Sequence, residues 1–295
     1  MPKVIVILGP TAVGKTALSI ELALRLNGEI ISADSRQVYT GLDIGTGKVT
    51  PEEMQGVPHH LLDVANPDEV FSANDFLEQG RAAIAGILER GNVPIIVGGT
   101  GLYIDALLGT VGLAGVPADP AFRSRIAHYS LEELNTLLKE LDPERAERIE
   151  KKNPVRLIRA IEIARSNPES WKLKPESPYK VLYIGLTLPR DMLKEKIHAR
   201  LTARMEAGML EEVKNLHKNG LSYERMESLG LEYRCMSRYL QDKLSYEEMM
   251  LKLEREIARY AKRQMTWFKR NKNITWFQPD ENEHVFTLAK NFLAS

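Results

Sequence analysis

Eight consecutive residues, Gly9-Pro10-Thr11-Ala12-Val13-Gly14-Lys15-Thr16, carry the spacing G-x-x-x-x-G-K-[ST], and the chemistry of that spacing is the cradling of phosphate oxygens. Gly9 and Gly14 let backbone N–H groups close around an anion, Lys15 supplies a positive point charge, and Thr16 offers a hydroxyl suited to Mg²⁺. The apolar run Lys3–Leu8 precedes the loop and a helical pattern from Ala17 to Ala23 follows it. The loop therefore opens a helix whose N-terminal partial charge adds to the attraction. A phosphorylated ligand is expected, and the open question is which one.

Other residues narrow the choice. The apolar segment Glu29–Ala33 delivers Asp34, followed by Ser35-Arg36-Gln37. A carboxylate there can act as a general base, as a Mg²⁺ partner, or as the cap of a turn. The segment Val93–Val97 runs into Gly98-Gly99-Thr100-Gly101. Three glycines in four positions allow a backbone to approach a ligand closely, and Thr100 adds a hydroxyl. This strand lacks the terminal Asp of an ordinary Walker B, which weighs against an ATPase. His59 and His60 are adjacent on a strand and point to opposite faces, so packing and hydrogen bonding suit them better than one shared metal ion.

Near the end of the chain Arg255, Arg259, Lys262, Arg263, Lys269, Arg270 and Lys272 face a single acid, Glu256. Arg255, Arg259 and Lys262 fall on one helical face. With Gln264, Trp267 and Phe268 interleaved, the segment reads as a polyanion surface with stacking platforms. Arg156 and Arg159 make a smaller pair at i, i+3.

The elements that must hold these groups alternate. Candidate strands lie at Val4–Leu8, Glu29–Ala33, His60–Val64 and Val93–Val97, with a helix opened by a Ser72–Asp75 capping box between the last two. Such alternation implies a parallel sheet covered by helices, with ligands at the C-terminal ends of the strands. From Val116-Pro117 to about Lys174 the apolar spacing is helical only. A strand returns at Tyr179–Leu186, followed by long helices at Arg190–Asn219 and Tyr246–Arg270 and a short strand at Ile274–Phe277. The expected fold is α/β: a P-loop NTPase-like parallel sheet flanked by helices, formed by 1–116 and 179–295, with an inserted all-helical domain over 117–178. Lys172–Pro178 reads as the return linker.

Composition excludes little. The 295 residues hold 40 basic and 40 acidic side chains, so global charge points to neither nucleic acid nor membrane. The single cysteine, Cys235, excludes a disulfide framework and a cysteine-based zinc site, and suits a reducing cytoplasm. Between Val93 and Val116 the one charge is Asp105; the prolines and glycines there favour a buried βα unit over a membrane span. No signal peptide is visible, and the expectation is a cytoplasmic monomer with no membrane partner.

Taken together the motifs resemble those of the tRNA dimethylallyltransferases of bacterial type. The matching segments are Gly9–Thr16, Ile31–Tyr39, Asp43–Lys48, His59–Asp63, Gly98–Tyr103, Arg156–Glu162 and Ala261–Phe268, in order over nearly the whole chain. The chain departs at Leu231-Glu232-Tyr233-Arg234, where the family has Gly-Tyr directly; this is read as a local variation that leaves the active site untouched. The resemblance implies transfer of a dimethylallyl group from dimethylallyl diphosphate to N6 of adenosine 37 in the anticodon arm of tRNA, with Mg²⁺ as cofactor. It implies that Gly9–Thr16 hold the diphosphate, that Thr16 meets the metal, and that Asp34, Thr100 and Lys15 are catalytic. Asp34, Ser35, Arg36, Gln37, Thr100, Arg123, Arg156, Arg159, Arg259, Lys262 and Arg263 are then the expected tRNA contacts, and the inserted domain the part that grips the RNA as a mobile lid. The alternatives are a small-molecule kinase, which shares the loop, and an adenylate isopentenyltransferase, which shares the chemistry.

Overall fold

In the computed structural model, residues 1–166 and 176–295 are described; of the return linker read at 172–178, residues 172–175 lie outside them. The apolar runs become strands buried on both faces. β1 (Lys3–Leu8), β2 (Gly28–Ala33) and β4 (Val93–Gly98) form the middle of a sheet that β3 (His59–His60), β5 (Lys180–Leu186) and β6 (Ile274–Phe277) complete in the order β3-β2-β4-β1-β5-β6. Every pairing is parallel. Alternate side chains explain why the runs are continuously apolar. Val4, Val6, Leu8, Ile31 and Ile96 meet α3 (Ala73–Glu89) and α4 (Gly101–Leu107) on one face. Ile5, Ile7, Ile30, Ile95 and Val97 meet α1 (Lys15–Leu26) and α14 (Asn282–Ala294) on the other. Each such side chain contributes about 1.5–3 kcal/mol of burial, enough to pin the register.

That register positions the site. Leu8 and Ala33 both lie opposite Gly98, so β1, β2 and β4 end at one level and release their loops side by side. α3 opens with the expected capping box, Ser72 accepting from the Asp75 N–H and Asp75 from that of Ser72. The apolar stretch from Val93 to Val116 supplies β4, a turn and α4, and no helix among the described residues is long and apolar enough to cross a membrane.

Two sequence expectations need correction. The strand expected at His60–Val64 ends at His60, because Leu61 (φ 64°) and Asp63 (φ 54°) adopt left-handed backbone conformations that a strand cannot continue through. The single helix expected at Arg190–Asn219 is two, α9 (Arg190–Glu206) and α10 (Met209–Lys218), broken where Gly208 takes φ 97°. Between α10 and the last long helix come α11 (Tyr223–Leu229) and α12 (Leu231–Leu240), and that helix, α13, spans Tyr246–Phe268. α9 to α13 share a separate core built on Leu201, Val213, Met226, Tyr233, Met236 and Leu253.

The chain divides into two compact units, Met1–Leu108 with Pro178–Ser295, and Gly109–Ser177. The second has its own core. α5 (Pro120–Ile126), α6 (Leu131–Leu141), α7 (Pro143–Arg148) and α8 (Pro154–Ser166) bury Phe122, Leu134, Leu138, Leu157 and Ile161 against one another. Asp119, Ser130 and Asp142 cap three of these helices through their side chains, each cap contributing about 1 kcal/mol. All regular structure among the described residues of this unit is helical. It joins the first unit at Leu108–Gly109, earlier than the Val116–Pro117 junction read from the sequence.

Candidate active site

The loop after β1 folds tightly enough to demand its first glycine: Gly9 has φ 149°, and a Cβ there would lie 2.5 Å from the carbonyl oxygen of Leu186. α1 starts at Lys15, and no side chain caps its N-terminus, which leaves the first-turn amides and the helix dipole for an anion. Lys15 donates from Nζ to the carbonyls of Gly9 (3.1 Å) and Pro10 (2.8 Å). Burial, and next the charge of Arg200, lower its pKa to about 7, with Asp34 opposing them. These groups open on a cavity of about 750 Å³ that Thr16, Asp34, Gln37, Gly98 and Gly99 also line.

Asp34 takes one of the three roles its position suggested, that of a turn cap. Its Oδ1 accepts from the N–H groups of Arg36 (2.8 Å) and Gln37 (3.4 Å), capping the turn, and the same residue lines the cavity. Thr100 joins the strand ends: its hydroxyl accepts from the Ser35 N–H at 3.2 Å, and its own N–H donates to the Ala33 carbonyl. Tyr260 on α13 also hydrogen-bonds to Thr100, and burial raises the phenol well above its ordinary pKa, so it is a neutral group.

Sequence reasoning missed three residues here. Arg200 on α9 reaches Thr11 Oγ1 (3.4 Å) and the Gly47 carbonyl (3.3 Å), and burial, then Arg204, lower its pKa. Its signal was available: Arg200 and Arg204 stand one turn apart beside the buried Ile197 and Leu201. Tyr260 and Gln264 were obscured by the charges around them. The interleaved residues of α13 are not stacking platforms. The helical period turns Gln264 and Phe268 inward, to 5% and 3% exposure. Trp267 donates from Nε1 to Asp105 (2.9 Å), and the Arg270 guanidinium covers its ring at 3.8 Å. The cations of that helix do face outward: Arg255, Arg259, Lys262 and Arg263 are exposed, and Arg259 pairs with Glu256.

The departing segment after Gly230 reaches the site's supports. Glu232 pairs with Arg204, and its charge acts on Arg200; the expectation that this segment leaves the active site untouched is therefore corrected. The histidines have separate partners, His59 the Val57 carbonyl and His60 the Glu29 carboxylate. Among the described residues no cluster of three or more His, Cys, Asp or Glu side chains is placed to hold a metal. Thr16 and Asp34 supply oxygen donors at the cavity, a sparse set that suits Mg²⁺, which keeps several waters and takes the rest of its shell from substrate phosphates.

In the second unit, Arg123 grips both oxygens of Glu162 at 2.7 and 2.8 Å. Arg159 adds a third bond at 3.0 Å and binds the carbonyls of Val116 and Pro117. Arg156 pairs with the exposed Glu150. All three arginines thus have partners within their own unit.

Known proteins resemble this chain in sequence and fold. The sequence model of the IPP transferase family matches residues 37–271. A tRNA dimethylallyltransferase of Bacillus anthracis is 45% identical over 298 residues, covering 98% of this chain and 94% of the relative. That of Bacillus cereus strain 03BB102 is equally similar, with 98% and 93% covered. Among solved structures, the full-length tRNA isopentenylpyrophosphate transferase of Bacillus halodurans superposes with a TM-score of 0.77 at 39% identity, covering 100% of this chain and 97% of its own. A eukaryotic dimethylallyltransferase acting on tRNA superposes with a TM-score of 0.87 at 25% identity, over 100% of this chain and 80% of that one.

Proposed function

From the premise that the chain belongs to the IPP transferase family, we propose that its cavity transfers a dimethylallyl group from dimethylallyl diphosphate to N6 of adenosine 37 in the anticodon arm of tRNA. Dimethylallyl transfer to tRNA, a prenyltransferase reaction, is the activity of this enzyme. The observation that carries the finer reading is the shared level of three strand ends: the phosphate-binding loop, Asp34 and the Gly98–Thr100 turn leave neighbouring strands side by side.

The chemistry follows from that placement. An exocyclic adenine amine is a weak nucleophile, because its lone pair is delocalised into the ring. As N6 attacks C1 of the donor, the C1–O bond breaks and diphosphate departs with the electron pair, while Asp34 takes the N6 proton. Lys15, Arg200 and the amides at the start of α1 stabilise the charge that collects on the leaving group. Thr16 would hold a Mg²⁺ ion, which would supply further neutralisation of the leaving group's charge. The target base leaves its stack to enter the cavity, and Arg255, Arg259, Lys262 and Arg263 hold the surrounding backbone phosphates. The site of action is the cytoplasm, where the enzyme works as a monomer.

The test is incubation of the protein with labelled dimethylallyl diphosphate and, in parallel, unmodified tRNA or AMP. Label in tRNA, at a modified adenosine recovered next to the anticodon, is the expected result. Label in AMP alone, or ATP hydrolysis stimulated by tRNA, would refute it.

A further inference from the structure

Gln264 is a buried amide that ties the phosphate-binding loop to the end of a second strand. Its Oε1 accepts from the Thr11 N–H at 2.9 Å, and its Nε2 donates to the Gly99 carbonyl at 3.0 Å. The orientation of the amide is fixed by the groups it meets, since the Thr11 N–H can only donate and the Gly99 carbonyl can only accept. The approach is close enough to explain Gly99: a Cβ there would lie 2.1 Å from Nε2. The helix that delivers Gln264 is itself held in register, with Tyr260 bonded to Thr100 one turn earlier and Trp267 to Asp105 one turn later.

We infer that Gln264 is a positioning residue that fixes the gap between the loop holding the diphosphate and the Gly99-Thr100 turn facing the acceptor amine. The inference rests on the reaction proposed above. The Thr11 amide is turned to the helix, so the diphosphate is met by the start of α1, by Lys15 and by Arg200. What Gln264 controls is therefore alignment more than affinity. Donor carbon and amine must meet at about 3–3.5 Å, and a misplacement of about 1 Å costs on the order of 100-fold in rate.

The experiment is single-turnover transfer to unmodified tRNA with dimethylallyl diphosphate, run for wild type, Gln264→Met and Gln264→Glu beside equilibrium binding of the donor. Gln264→Met keeps the volume and removes both bonds. Its rate constant should fall about 10- to 100-fold while donor affinity changes less than about threefold. Gln264→Glu keeps the acceptor for Thr11 but, when ionised, sets a carboxylate against the Gly99 carbonyl; its protonated form restores the donor. Burial raises such a carboxyl, so the ratio of its rate to wild type should climb severalfold between pH 8 and pH 6. A wild-type rate in Gln264→Met, a loss confined to donor affinity, or a pH-independent ratio for Gln264→Glu overturns the inference. If Gln264→Met fails to fold, that ratio decides alone. Wild type that labels AMP and not tRNA counts against the reaction reading instead.

Discussion

Replacing Glu162 by Gln tests whether the second unit is held by its buried charge cluster. Glu162 is 3% exposed on α8 and receives four bonds: two from Arg123, one from the Asp119 N–H at 3.0 Å and one from Arg159. Burial by itself pushes the carboxyl up; the hydrogen bonds of Arg123, the Asp119 amide and Arg159 outweigh it and hold the pKa at about 2, against 4.5 ordinarily. At 1.36 kcal/mol per decade that interval amounts to about 3 kcal/mol. Arg123 and Arg159 are 45% and 33% exposed, so solvent screening trims the figure to about 2 kcal/mol. A depressed carboxyl stabilises the folded form above its unfolded pKa and loses that contribution as pH falls through its folded one, here from about 4.5 to about 2. Hydrogen exchange over residues 120–165 reads the local opening free energy. At pH 7 Glu162→Gln should accelerate the slowest amides there by about 30- to 150-fold, the equivalent of 2–3 kcal/mol. Wild type should lose the same protection in acid while the variant stays flat. Equal exchange in the two proteins at pH 7 would refute the cluster's role.

Three further outcomes are expected. Asp34→Asn should reduce transfer about 10²- to 10⁴-fold with tRNA affinity nearly intact; single-turnover rates within a few-fold of wild type would remove it as the base. Lys15, with a pKa of about 7 in the free enzyme, should recover a proton as diphosphate binds. Donor affinity should then weaken as pH rises above 7, and Lys15→Met, titrated in parallel, should lack that component. Arg259→Glu with Lys262→Glu should weaken tRNA binding across sequences and flatten its salt dependence; an unchanged slope in filter binding at several salt concentrations would make the face an ordinary solvated one.

The central sheet was legible because its signals are local: Lys3–Leu8 and Val93–Val97 are apolar on both faces, and Ser72 and Asp75 carry their cap within four residues. The level at which Asp34 and the glycine turn emerge follows from strands of matched length. What the sequence could not give was what lies across from a residue. Arg200 meets Thr11 across 189 positions, and Gln264 meets it across 253; periodicity tells which way a side chain faces and nothing of the backbone it finds there. Arg159 shows the same limit at short range. It stands three residues from Glu162, the partner it takes, yet the pair reads from sequence as a cation for RNA because the burial of Glu162 is a tertiary fact.

One helix carries two of these lessons at once. At about 100° per residue, Arg255, Arg259 and Lys262 stand roughly 140–180° around the axis of α13 from Gln264. In the proposed reading the outward face would follow a phosphate backbone in any sequence of RNA, a contact that fixes register and carries no base information. The inward face is bonded at Thr100, Thr11, Gly99 and Asp105 and cannot shift without moving the strand ends beside the cavity. The buried glutamine serves the core, and the four exposed cations form the face that the proposed function assigns to RNA. The composition of α13, which reads as a muddle of charge and aromatic residues in one dimension, is two separate faces once wound.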